Sequence, residues 1–160
     1  TQMTIQEKIK DWAFGQLSNV SEQFNNLSPC PYAKATFVND KISFVESDHK
    51  DFLDTVTQEI EKFDGTKDVV IVYSVHNPFG LDYLEGTVEG LNFMLNKRGK
   101  DIWLLGFHDE WTMIFIQKIT KLDDASIELE KKGYYNNYNK EQFDHYVSKR
   151  RKLRNRYDAE

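Results

Sequence analysis

Side chains able to shuttle protons, act as nucleophiles or hold a transition metal near neutral pH are few in this chain. There is one cysteine, Cys30, and there are four histidines, His49, His76, His108 and His145. Cys30 lies in the stretch SPCPYA, flanked by Pro29 and Pro31. Proline suits the first position of a helix, so a short helix is expected over about 31–38, with the thiol at its start. There the positive end of the helix dipole and unpaired N–H groups favour thiolate. His76 directly follows the apolar run DVVIVYSV, and His108 directly follows DIWLLGF, with Asp109 and Glu110 behind it. His49 and His145 fall in charged helical segments and read as solvated.

A thiolate and two imidazoles form a donor set suited to Zn, Fe or Cu, with an open position for water or substrate. Cys30, His76 and His108 are the expected ligands. Their spacing matches no close-set zinc pattern such as C-x2-C, so this reading rests on where the fold brings them. Without a metal, the same residues give a cysteine nucleophile with His76 or His108 as base and Asp109 or Glu110 orienting the imidazole. Each has a plain structural counterpart: a lone cysteine is commonly a small buried hydrophobe, and a histidine after a strand commonly shapes a turn.

The elements that must position these residues follow from apolar spacing. An amphipathic helix is expected over 4–24, with Ile5, Ile9, Trp12, Leu17 and Phe24 near one face. KISFVES (41–47) alternates as a strand, and Ser47 or Asp48 could cap a helix over 49–63. DVVIVYSV (68–75) is apolar at nearly every position, as in a parallel strand covered on both faces. A helix over 81–97 leads to a strand over 101–107, which should pair in a hairpin with 112–119. A capped helix over 123–133, the aromatic loop GYYNNYN and a basic helix over about 140–156 complete the chain.

Strands alternating with helices predict an α/β fold: a small mixed, mainly parallel sheet of about four strands, with helices packed on its faces, in a single domain spanning 1–160. Ligand sites in such sheets lie at the carboxyl ends of the parallel strands. His76 and His108 both fall at that edge, with backbones roughly 5 Å apart if their strands are neighbours and about 10 Å if one strand intervenes. The start of a 31–38 helix packed antiparallel to its following strand brings Cys30 to the same edge.

Apolar residues make up 39% of the chain and aromatics 14%, which predicts a packed core rather than a disordered chain. No apolar run approaches the roughly 20 residues of a membrane span, the first residues lack the apolar middle of a signal peptide, and one cysteine forms no internal disulfide. A soluble, cytoplasmic protein with no membrane partner is expected. The net charge is −5, yet SKRRKLRNR (148–156) carries six basic residues, which leaves about −11 for the rest. An acidic body argues against non-specific nucleic-acid binding, while the basic last helix leaves room for a local anionic partner.

CPYA resembles the glutaredoxin motif Cys-Pro-Tyr-Cys, but Ala33 stands in place of the second cysteine and no buried strand precedes it. Over roughly residues 5–110 the chain resembles an uncharacterised bacterial family. That family pairs an Asn-x-Cys-Pro-Phe-Ala segment with a later Phe-His-Pro segment. The matching residues are Cys30, Pro31, Tyr32 and Ala33, then Phe107 and His108; Ser28 and Pro29 are extra, and Asp109 replaces the final proline. The resemblance implies an organised Cys/His site and no particular reaction.

Two classes of function follow. One is a small-molecule enzyme built on Cys30, His76 and His108 with Asp109 or Glu110, in a metal-binding or a metal-free version. The other is a non-catalytic interaction protein that docks through its aromatic loop and basic last helix. Short, acidic, Asn- and Lys-rich chains of this kind occur among phage and AT-rich bacterial proteins.

Overall fold

The computed structural model describes residues 3–12, 40–76, 79–108 and 110–158, with side chains described as far as Leu153. Cys30, the helix expected over 31–38, the second half of the first helix and Asp109 lie outside the described residues. The elements in chain order are α1 (Ile5–Trp12), β1 (Ile42–Glu46), α2 (Phe52–Lys62), β2 (Val69–Ser74), α3 (Leu81–Lys97), β3 (Trp103–His108), β4 (Thr112–Gln117), α4 (Ile119–Lys131), α5 (Lys140–Phe143) and α6 (Lys149–Asp158). A 3-10 turn, His49–Asp51, leads into α2, and one π-helical stretch, Asp144–Ser148, joins α5 to α6. These elements divide into two compact units, residues 40–118 and the two ends of the chain.

Residues 40–118 form a four-stranded sheet in the order β1-β2-β4-β3. The β1–β2 pair is parallel, while β2–β4 and β3–β4 are antiparallel. The sheet is therefore mixed, not mainly parallel as expected. The reason lies in β4. The hairpin after β3 turns it back antiparallel, and it then enters the centre of the sheet between β2 and β3 instead of lying at an edge. Its composition suits that place: Met113, Ile114 and Ile116 are fully buried and alternate between both faces, which an edge position could not achieve as completely. β3, interrupted by Gly106, takes the edge.

One face of the sheet carries the core. Val70 and Val72 of β2, Ile114 and Ile116 of β4 and Leu104 of β3 pack with Phe52 and Val56 of α2 and Leu84, Val88 and Leu95 of α3. Gly106 lets α3 approach: a Cβ there would lie 3.1 Å from both Leu84 Cγ and Val88 Cγ2. The outer edge of β3 is closed by a side chain of α3. Buried Asn92 accepts a hydrogen bond from Leu104 N–H at 2.8 Å and donates Nδ2–H to Leu104 C=O at 3.0 Å. It thus does for one residue what a neighbouring strand would do, and blunts an edge that would otherwise offer unpaired backbone groups to another chain.

The other unit contains α1 and residues 119–158. Thr4 and Glu7 cap α1 reciprocally, with Thr4 N–H donating to Glu7 Oε2 at 2.8 Å and Glu7 N–H donating to Thr4 Oγ1 at 3.2 Å. α4 begins at Ile119, four residues earlier than expected, so Asp123 is not a cap. It lies fully buried and pairs with Arg150 of α6, whose Nη1 also donates to Tyr146 C=O. Arg151 pairs with Glu130 of α4 and donates to Ser126 Oγ at 3.2 Å. The aromatic loop is packed: Tyr134 is buried, its ring lies 4.8 Å from that of Tyr135, and Tyr135 meets Phe143 at 5.5 Å and Ser126 Oγ through its hydroxyl at 2.6 Å.

Candidate functional site at the carboxyl edge of the sheet

Because β4 runs antiparallel to both β2 and β3, those two strands point the same way, and β1 points with them. The carboxyl ends of β1, β2 and β3 therefore share one edge. Register gives the last step of that edge: Ser74 of β2, Thr112 of β4 and His108 of β3 lie side by side. Ser47, just beyond β1, continues the row, its N–H donating to Tyr73 C=O at 2.9 Å.

By strand alternation this row shares the helix-covered face with Val45, Val72, Ile114 and Gly106, one step deeper. The face changes there from wholly apolar to wholly polar in a single step. Ser47, Ser74 and Thr112 are buried, and His108 is half-buried beside them. Ser47 Oγ meets Thr55 Oγ1 of α2 at 2.8 Å rather than capping the 3-10 turn, and Ser74 Oγ donates to His76 C=O at 2.8 Å, which fixes the turn that presents His76.

His76 is exposed at the end of β2, and the structure adds a partner that sequence reasoning missed. His49, in the 3-10 turn after β1, lies with its ring edge-on to His76 at 6.2 Å and an interplanar angle of 87°. His49 Nδ1 is held by Asp48 Oδ1 at 3.0 Å, which leaves Nε2 as the nitrogen open to a ligand. The available signal was positional: His49 follows one parallel strand by three residues, and His76 follows its neighbour by two. Phe52, at the end of the 3-10 turn that carries His49, begins an aromatic row, Phe52–Phe79–Tyr83, with ring separations of 6.0 and 4.9 Å. The first turn of α3 opens there too. Its N-cap, Gly80, is extended and supplies no side-chain cap, so the first amides have no intrahelical acceptor.

The expected residues are thus distributed as follows. His76 and His108 reach the same edge on strands separated by β4, which corresponds to the wider spacing of about 10 Å. Glu110 is exposed in the β3–β4 hairpin, while Cys30 and Asp109 lie outside the described residues. Among the described residues, no group of three or more His, Cys, Asp or Glu side chains is placed to hold a metal ion. The described residues alone do not supply the expected metal set. His145 is exposed on the π-helical stretch, in the unit that does not hold the sheet. Trp111, in the turn between β3 and β4, is buried. No helix among the described residues is long and apolar enough to cross a membrane.

Compared with known protein families, with curated proteins and with solved structures, the chain matches none.

Proposed function

We propose that this chain is a small-molecule enzyme whose site is the carboxyl edge of the sheet, with imidazoles as its acid–base groups. The observation that carries the reading is the shared direction of β1, β2 and β3, which delivers His49, His76 and His108 to one edge over a row of buried hydroxyls. Imidazole is the side chain best matched to proton transfer near neutral pH. Asp48 orients His49, and His49 and His76 are both exposed and able to meet substrate. Gly80 gives α3 no side-chain cap, so its first amides could meet an anionic group of a substrate, against the opposing charge of Asp82 in the same turn. A metal version of the site needs Cys30 as a third ligand beside His76 and His108, with Zn, Fe or Cu as the fitting ions.

The docking alternative has less to stand on. Two arginines of its basic helix are engaged within their own unit, and its aromatic loop is packed on itself.

The test is an NMR screen of small phosphate esters and carboxylic acids that follows the imidazole signals of the wild type, H49A, H76A and H108A. The reading expects ligands that shift His76 together with His49 or His108 and that are lost in H76A. Ligands that leave all three imidazoles unmoved would refute it. Elemental analysis of tag-free protein separates the two versions. Near-stoichiometric metal lost in both C30S and H108A supports the metal site, and metal-free protein that still binds ligand through His76 removes it.

A further inference from the structure

His49 and His76 sit in different turns, one after β1 and one after β2, and the parallel pairing of those strands brings them together. Their ring centres lie 6.2 Å apart with the planes at 87°, and both side chains are exposed. A metal ion bound by two imidazoles lies about 2.0–2.1 Å from each nitrogen, and so about 3.2 Å from each ring centre. The two centres are then about 5.2 Å apart at a tetrahedral angle and about 6.4 Å apart when the nitrogens oppose each other. The observed separation falls within that span, and a turn of the exposed His76 ring aims a nitrogen at the shared point.

Two further observations point to a cation. The first is Asp48, whose Oδ1 holds His49 Nδ1 at 3.0 Å. A carboxylate on the far nitrogen is the usual support of a metal-ligating histidine, because it fixes the tautomer, turns Nε2 outward and makes it more basic. The second is the distribution of charge along residues 40–118. Glu46, Asp48, Asp51, Asp54 and Asp82 are exposed around the carboxyl ends of β1 and β2, and Lys50 is the one basic side chain among them. The other seven Lys and Arg residues of 40–118 lie at the opposite end of the strands, before β1, β2 and β3 or at the ends of α2, α3 and β4. The field at the carboxyl edge is therefore negative and concentrates cations.

We propose that His49 and His76 form a binding site for a divalent transition-metal ion, Zn2+, Ni2+ or Cu2+, with Asp48 supporting His49. Imidazole nitrogen suits these ions, whereas Mg2+ and Ca2+ prefer oxygen. Among the described residues no third His, Cys, Asp or Glu is placed to join the pair, so water or a substrate completes the shell. The pair differs from the Cys30–His76–His108 set, and the site does not depend on the edge being catalytic. A bound ion takes the nitrogens that proton transfer would use, so the loaded chain would lose acid–base chemistry at this pair.

The test is a calorimetric zinc titration of the EDTA-treated, tag-free full chain, with the imidazole NMR signals followed alongside. The expected result is one Zn2+ per chain that moves His49 and His76, with a dissociation constant raised about tenfold or more in H49A, H76A and D48N. D51N removes a charge from the same turn but leaves the ligands and their support in place, so it should cost less. C30S and H108A should bind as the wild type does, and Mg2+ should leave both imidazoles unmoved. His49, His76, Asp48 and Asp51 are exposed, so their variants should keep the wild-type circular dichroism. No zinc binding up to about 1 mM, zinc held equally well by H49A and H76A, or zinc lost in C30S or H108A would each overturn the proposal. So would an equal response to Mg2+, which would assign the binding to acidic charge alone.

Discussion

Asn92 offers a sharp test of how the edge strand is held. Its amide satisfies both backbone groups of Leu104 on the side of β3 that has no neighbouring strand, at 2.8 and 3.0 Å, and all the atoms concerned are buried. Replacing it with alanine leaves one N–H and one C=O without partners in a region closed to water. Each such group costs about 1–3 kcal/mol, and alanine returns about 0.6 kcal/mol through better helix propensity, for a net loss of about 1.5–5.5 kcal/mol. That is a large share of the roughly 8–24 kcal/mol expected for a chain of 160 residues. Urea unfolding followed by tryptophan fluorescence would report it, since Trp103 lies next to Leu104. The midpoint should fall with little change in slope. Asn92→Asp is the companion variant: its carboxylate keeps the acceptor but faces the Leu104 carbonyl, so the deficit should exceed that of alanine at pH 7. Burial raises that carboxyl's folded-state pKa above its unfolded value, so its protonated form, favoured as pH falls, restores a donor and the deficit should shrink. A loss below about 1 kcal/mol for Asn92→Ala would refute the account, because it would mean that water or backbone rearrangement satisfies Leu104 equally well.

Three further outcomes are expected. Gly65, in the turn after α2, has φ +83, a conformation that costs a side chain about 1–2 kcal/mol, while Lys118 Cε beside it can move aside; Gly65→Ala should lower stability by that amount in thermal unfolding. Asp123→Ala or Arg150→Ala alone should cost about 3–5 kcal/mol by stranding a buried charge, whereas Asp123→Leu with Arg150→Met should recover most of it; a double-mutant cycle reads the difference. Burial, and after it the neighbouring Tyr135 and Tyr146, hold Tyr138 above its usual pKa of 10.0. The folded state favours its neutral form, so that contribution is intact below pH 10 and is lost as pH rises through the folded-state value. Tyr138→Phe should flatten the alkaline limb of a stability–pH profile.

The parts of the fold legible in the sequence were those whose signals are local. α3 occupies the expected residues, 81–97, because its apolar spacing is regular and glycines bracket it. β2 is buried along its whole length, as its unbroken apolar run implies. The start of α4 was not legible: Gln117, Lys118 and Ile119 pass from strand to helix with no glycine, proline or capping residue to mark the change. Asp123 carried the local signature of a helix cap, yet its partner Arg150 lies 27 residues away, and only tertiary packing brings the two together. His49 likewise looked solvated because its charged neighbours dominate the local pattern. Its meeting with His76 depends on two turns folding over the same edge.

Strand order has one consequence for the site that element order could not supply. The common direction of β2 and β3 is unaffected by what lies between them, so His76 and His108 share an edge whether β4 is inserted or not. What the insertion changes is their separation, and with it the size of molecule the edge can serve. With β4 between them, the row reads Ser74, Thr112, His108, and the histidines divide into a close pair, His49 and His76, and a distant third. Under the proposed function, a substrate that engages both His76 and His108 must bridge two strand spacings, about 10 Å. A bare phosphate or a small hydroxy acid would reach only one end. A molecule with an anionic group at one end and an apolar or aromatic body at the other would be long enough to span the row. The ligand screen should therefore favour compounds of nucleoside or dipeptide size over their fragments, and equal binding by the fragments would place the site at the His49–His76 pair alone.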